Sequence, residues 1–126
     1  MQAFLKFFVA LFGAVCAAIG LAHIIVGPAV IPGSIAVNAT MDSEDRFYAT
    51  LFVGFGAALV WCSRDLEERS RPFAWLLVVF FAGGISRLVS LSQVGLPHPL
   101  FQVLTVVELV LLFVLWLLYR RTVRRA

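Results

Sequence analysis

Charge is scarce in this chain. Asp, Glu, Lys and Arg make up 13% of its 126 residues, about half the share of an ordinary soluble domain. With 62% hydrophobic residues beside that shortage, a water-soluble globule is excluded and a single-domain membrane protein is indicated. Cysteine is equally sparse. Cys16 and Cys62 form no C-x-x-C motif and no metal-ligand spacing, and both fall in apolar runs, where cysteine acts as a small buried hydrophobe. Also missing are a phosphate-binding glycine loop, a nucleophile motif and a redox-active cysteine pair, so no cofactor is expected. The net charge of +3 is no nucleic-acid signature, because Lys and Arg cluster at the ends of apolar runs, where membrane topology explains them.

What fills the chain is four apolar runs. The first, residues 4–26, would span about 34 Å as a helix, against a bilayer core of roughly 30 Å. It is longer than the apolar stretch of a usual signal peptide, so a retained helix is expected. Gly13, Ala17 and Gly20 give it a small-residue face for close packing. A long connection follows, broken by Pro28, Pro32 and Gly33 and containing the triplet Asn38-Ala39-Thr40, which matches a glycosylation pattern common by chance. The second helix is expected over 43–62, capped by Asp42 or Ser43, with Gly54 and Ala58 as its close-packing face. After the charged loop from Ser63 to Arg71, Pro72 opens a third helix over 72–93, and the fourth is expected over 99–119. The fold class is therefore all-α: residues 1–126 as one integral membrane antiparallel four-helix bundle. Lys6, Arg64, Arg69, Arg71, Arg120, Arg121, Arg124 and Arg125 fall at one end of the helices and Arg46 at the other. That asymmetry places both termini in the cytoplasm.

Two opposite charges interrupt the last two runs: Arg87 in the third and Glu108 in the fourth. Counted at 1.5 Å per residue, they lie about 9 and 14 Å below the outer helix ends, a difference that an Arg side chain spans. An unpaired charge in mid-membrane costs about 2.5–3.5 kcal/mol on insertion scales, so the two are expected to pair. Other polar groups reach a similar level: His23 near the end of the first run, Arg46 in the first turns of the second, Ser90 beside Arg87, and Gln102 ahead of Glu108. Two readings stand side by side. In one, these residues line an outward-facing pocket for a membrane lipid or other small amphiphile, with Arg87, Glu108, Arg46, His23, Ser90 and Gln102 as ligand-binding candidates. In the other, the buried charges serve only helix pairing, and the chain is a structural or accessory subunit, as a homo-oligomer or in a larger membrane complex. A metal site on His23, His98 and Glu44 or Asp45 lacks H-x-x-H or E-x-x-H spacing, so none is expected. Catalysis would have to rest on Glu108 or His23, and the reading leans away from an enzyme.

Several segments together resemble a known family: M-D-S-E-D-R-F-Y-A (Met41 to Ala49), G-F-G (Gly54 to Gly56), G-G-I-S-R-L-V-S (Gly83 to Ser90), G-L-P-H-P (Gly95 to Pro99) and E-L at Glu108 and Leu109. The chain resembles a family of small bacterial four-helix membrane proteins classed as a domain of unknown function. More loosely it is similar to DoxX-like four-helix membrane proteins. The resemblance implies a bacterial inner-membrane protein and marks Arg46, Arg87 and Glu108 as positions of the family pattern, without an activity. The DoxX-like similarity implies an accessory role beside a redox or other membrane complex, although the cysteines of some redox helices are absent.

Overall fold

The computed structural model describes residues 1–123; Arg124 and Arg125, counted above toward the cytoplasmic charge, lie outside the described residues. The chain is all-helical: α1 (Gln2–Val26), a short 3-10 turn (Pro28–Val30), α2 (Ala39–Ser63), α3 (Ser70–Val94) and α4 (Pro99–Thr122). All four α-helices are long and apolar enough to cross a membrane, as in a multi-pass membrane protein. Their outward surfaces fit that solvent. Phe4, Phe7, Leu11 and Val15 on α1 and Val103, Val106, Val110 and Phe113 on α4 are exposed in helical steps of three and four, which in water would be a large unprotected apolar patch.

The chain divides into two compact units, Lys6–Asp65 and Leu66 onward with Met1–Leu5. In the first, α1 and α2 run antiparallel at backbone contact distance. A Cβ placed on Gly13 would strike the carbonyl oxygen of Gly56, one on Gly56 would strike Gly13 O and Ala17 N, and one on Gly20 would meet Val53 and Ala49 O. The small-residue face of α1 is thus the one expected, but that of α2 is not. Gly54 is exposed with nothing within 4 Å of its would-be Cβ, while Gly56 and Ala49 are buried. Between apolar side chains and lipid tails there is little hydrophobic drive, so such backbone proximity is how membrane helices gain packing energy.

Helix α2 starts four residues before the expected position. Asn38 is its cap, the side-chain oxygen accepting from Met41 N at 2.9 Å, so Asp42 is released from capping and lies in the first turn. In the second unit α3 begins at Ser70, two residues ahead of Pro72, which stays within the first turn where its missing N–H costs no bond. Gly95 ends α3 at φ 111°, a conformation that side chains disfavour. His98 then caps α4, its ring Nδ1 accepting from Leu100 N at 3.2 Å, with Pro99 at the first position. Helix α4 extends to Thr122, one turn past the expected end, carrying Arg120 and Arg121 in its last turn where the helix dipole favours cations. An edge contact of Phe81 with Phe113 and a tilted contact of Phe73 with Tyr119 fit the antiparallel register of α3 and α4.

Candidate functional site

The candidate site belongs to the α3–α4 hairpin. Gly84, on the face of α3 toward α4, leaves no room for a Cβ beside Leu109 and Glu108, and three residues on, Arg87 points at the same partner. Its Nε donates to Glu108 Oε2 at 2.7 Å. The two side chains differ in exposure, 39% for Arg87 and 10% for Glu108, so the carboxylate is enclosed while the guanidinium reaches outward. Phe101, two helical turns before Glu108 on the same face of α4, places its ring 5.5 Å from the guanidinium carbon, within cation–π range. Nothing in the charge pattern singles out Phe101 among twelve phenylalanines, although its seven-residue spacing from Glu108 encodes the shared face.

The contact is a single hydrogen bond. Only Nε is engaged, and neither terminal nitrogen of Arg87 nor Oε1 of Glu108 has a hydrogen bond within the described residues. No sealed side-chain nitrogen or oxygen among those residues goes unpaired, so these atoms all border open space. The pair therefore presents donors from one side chain and an acceptor from the other.

The other expected site residues have partners or places of their own. Gln102 donates its amide to Pro97 O at 3.0 Å and so fastens the α3–α4 turn. Ser90 is exposed, one turn along α3 from Arg87. His23 and Arg46 belong to the α1–α2 hairpin. Nδ1 of His23 lies 3.0 and 3.1 Å from the Asp45 carboxylate, and facing two acceptor oxygens it must carry the proton and donate. Arg46 is held by Asp42 one turn back, Nε to Oδ1 at 2.7 Å, and donates its terminal nitrogens to the carbonyls of Ile24, Ile25 and Val26. Those carbonyls have no partner within their own helix, so Arg46 supplies the cap that α1 lacks. A hollow of about 360 Å³ lies under the same connection, lined by Val26, Pro28, Ser34, Ile35, Val37 and Asp42. Among the described residues no group of three or more His, Cys, Asp or Glu side chains converges.

A cap made by one side chain has a measurable role. Arg46→Ala should raise amide exchange in the last turn of α1, around Val26 and Gly27, roughly tenfold while leaving the amides near Gly13 unchanged. Arg46→Lys should restore only part of that protection, because one ammonium cannot hold a carboxylate and several carbonyls as the planar fork does. Hydrogen exchange read by mass spectrometry checks this, and unchanged protection at Val26 would remove the capping role.

A family model described as "Domain of unknown function (DUF4345)" matches residues 4–119. The chain belongs to the DUF4345 family. No curated protein and no solved structure matches the chain. The match to DUF4345 runs from the start of α1 to the last turns of α4, so both hairpins and the Arg87–Glu108 pair lie within the family domain.

Proposed function

We propose that this DUF4345 protein is an integral protein of the bacterial cytoplasmic membrane, its helices packed as an antiparallel four-helix bundle with both termini in the cytoplasm. In that setting it binds a lipid-like or other small amphiphile, and catalyses no reaction. The observation that carries the reading is the unsaturated Arg87–Glu108 pair: one hydrogen bond between the two, with guanidinium donors and a carboxylate oxygen left open on otherwise apolar helices. A pair serving only to hold two helices together would gain by closing side-on with two bonds, whereas open valences in an apolar medium are costly unless something fills them. An amphiphile supplies both a polar head for the pair and a tail for the exposed Leu and Val side chains beside it, such as Leu88, Val89 and Val107. Ser90 is a further contact for the head, while His23 and Arg46 in this reading hold their own hairpin together.

Lipid co-purifying with the protein tests the proposal. Arg87→Ala and Glu108→Ala should each change the amount or type of bound lipid measured by mass spectrometry, and lipid content identical to that of the parent protein would sink it. A second reading, an accessory subunit of a membrane complex, draws on Gly54, whose open flank offers close approach to another helix. Native isolation from membranes without a stoichiometric partner would count against that one.

A further inference from the structure

The chemistry of the head can be narrowed, on the reading that the Arg87–Glu108 pair is a ligand site. The pair is an Arg and a Glu in contact at 2.7 Å, so its formal charges cancel. What it leaves open is of two kinds: terminal N–H donors on Arg87 and the Oε1 acceptor on Glu108, with Phe101 flanking the guanidinium. Arg87 stands seven residues before the end of α3, about 10 Å along the helix, and its long side chain can carry donors toward the headgroup layer.

Each headgroup class meets these valences differently. A purely anionic head satisfies the guanidinium but leaves a net negative charge beside the enclosed Glu108 carboxylate, in a medium where unbalanced charge is expensive. A purely cationic head meets the opposite difficulty at Arg87. A phosphocholine head is neutral overall, but its nitrogen bears no N–H to give to Oε1. A phosphoethanolamine head is neutral overall, carries phosphate oxygens for the Arg87 terminal nitrogens, and has ammonium hydrogens for Glu108 Oε1. We infer that the open valences of Arg87 and Glu108 select a zwitterionic aminophospholipid, phosphate on Arg87 and ammonium on Glu108.

The test uses the purified full chain, stripped of lipid in detergent and offered an equimolar mixture of phosphatidylethanolamine, phosphatidylcholine and phosphatidylglycerol with matched acyl chains. Retained lipid is then measured by mass spectrometry. Phosphatidylethanolamine should be retained roughly tenfold over each of the others, the worth of one charge-assisted hydrogen bond. Glu108→Gln should abolish that preference while retaining phosphate-bearing lipid, and Arg87→Ala should lower retention of all three. Excess soluble glycerophosphoethanolamine should leave retention unchanged, and displacement by it at equal concentration would overturn the lipid assignment. If the parent protein retains phosphatidylglycerol or phosphatidylcholine as well as phosphatidylethanolamine, with all retention still dependent on Arg87, the headgroup inference is wrong and the binding site stands. If retention is the same in Arg87→Ala as in the parent protein, both fail. Should either variant not fold, judged by its circular dichroism, the three-lipid competition on the parent protein decides alone.

Discussion

Arg87→Ala is expected to destabilise the protein by about 3–5 kcal/mol, the usual cost of stranding one partner of a buried ion pair. The asymmetry in exposure sets the order of effects. Removing Arg87 strands a carboxylate that is 10% exposed, whereas removing Glu108 leaves an arginine that is 39% exposed and can swing toward solvent or headgroups. Glu108→Ala should therefore cost less than Arg87→Ala. Replacing both by Leu should be close to neutral or even stabilising, since an apolar pair of similar volume needs no desolvation. Reversible unfolding in detergent micelles gives all corners of the cycle, and a coupling energy of about 1–3 kcal/mol is expected for side chains in direct contact. Costs that simply add would mean that the 2.7 Å contact holds no energy. The reciprocal exchange, Arg87→Glu with Glu108→Arg, should recover part of the stability that either single change removes. Full recovery is not expected, because Phe101 is placed to flank a guanidinium arriving from α3 rather than from α4.

Gly56→Val should be about as damaging. Its new side chain would collide with backbone, Gly13 O and Ala17 N, rather than with a side chain able to turn aside, so α1 and α2 must move apart along their whole contact. Overpacking costs about 1–3 kcal/mol where neighbours can shift, and a backbone neighbour puts this substitution at or above the upper figure. Two residues earlier the sign reverses. Gly54→Ala meets nothing within 4 Å and gains up to about 1 kcal/mol of helix propensity. Opposite shifts in the unfolding midpoints of these two variants are the expected result. Equal shifts would mean that α2 does not face α1 through Gly56.

The same two glycines show what the sequence holds and what it hides. Four spans are legible because length and apolarity suffice to define them, and Arg87 with Glu108 is legible because charges are so rare that depth counting leaves few alternatives. Rotation about a helix axis is another matter. Gly54 and Gly56 stand in one G-F-G, about 200° apart around the helix, and a helix apolar on every side has no polar face to fix which of them turns inward. The start of α2 was obscured for a related reason: Asn38-Ala39-Thr40 is polar and follows a proline-broken stretch, so it resembles loop, yet Asn38 is placed to accept from the N–H of the third residue on. The partners of Arg46 are hidden too. Its acceptors in the α1 hairpin include three backbone carbonyls, and a carbonyl leaves no trace in composition or spacing. Depth alone likewise does not disclose that the Gln102 amide donates to Pro97 O in the adjoining turn.

Three of these side-chain contacts share one more property: each joins residues of one helix or of two successive helices. His23 and Asp45 are 22 residues apart, Arg87 and Glu108 are 21 apart, and Arg46 finds Asp42 four residues back. No charge in these contacts waits for a distant part of the polypeptide. The contacts of Arg46 lie within α1 and α2 and can form before α3 exists, and the Arg87–Glu108 contact can form as soon as α4 has been synthesised. For a chain made one residue at a time, that ordering lets each of these contacts form between helices that follow one another directly, without waiting for a later element.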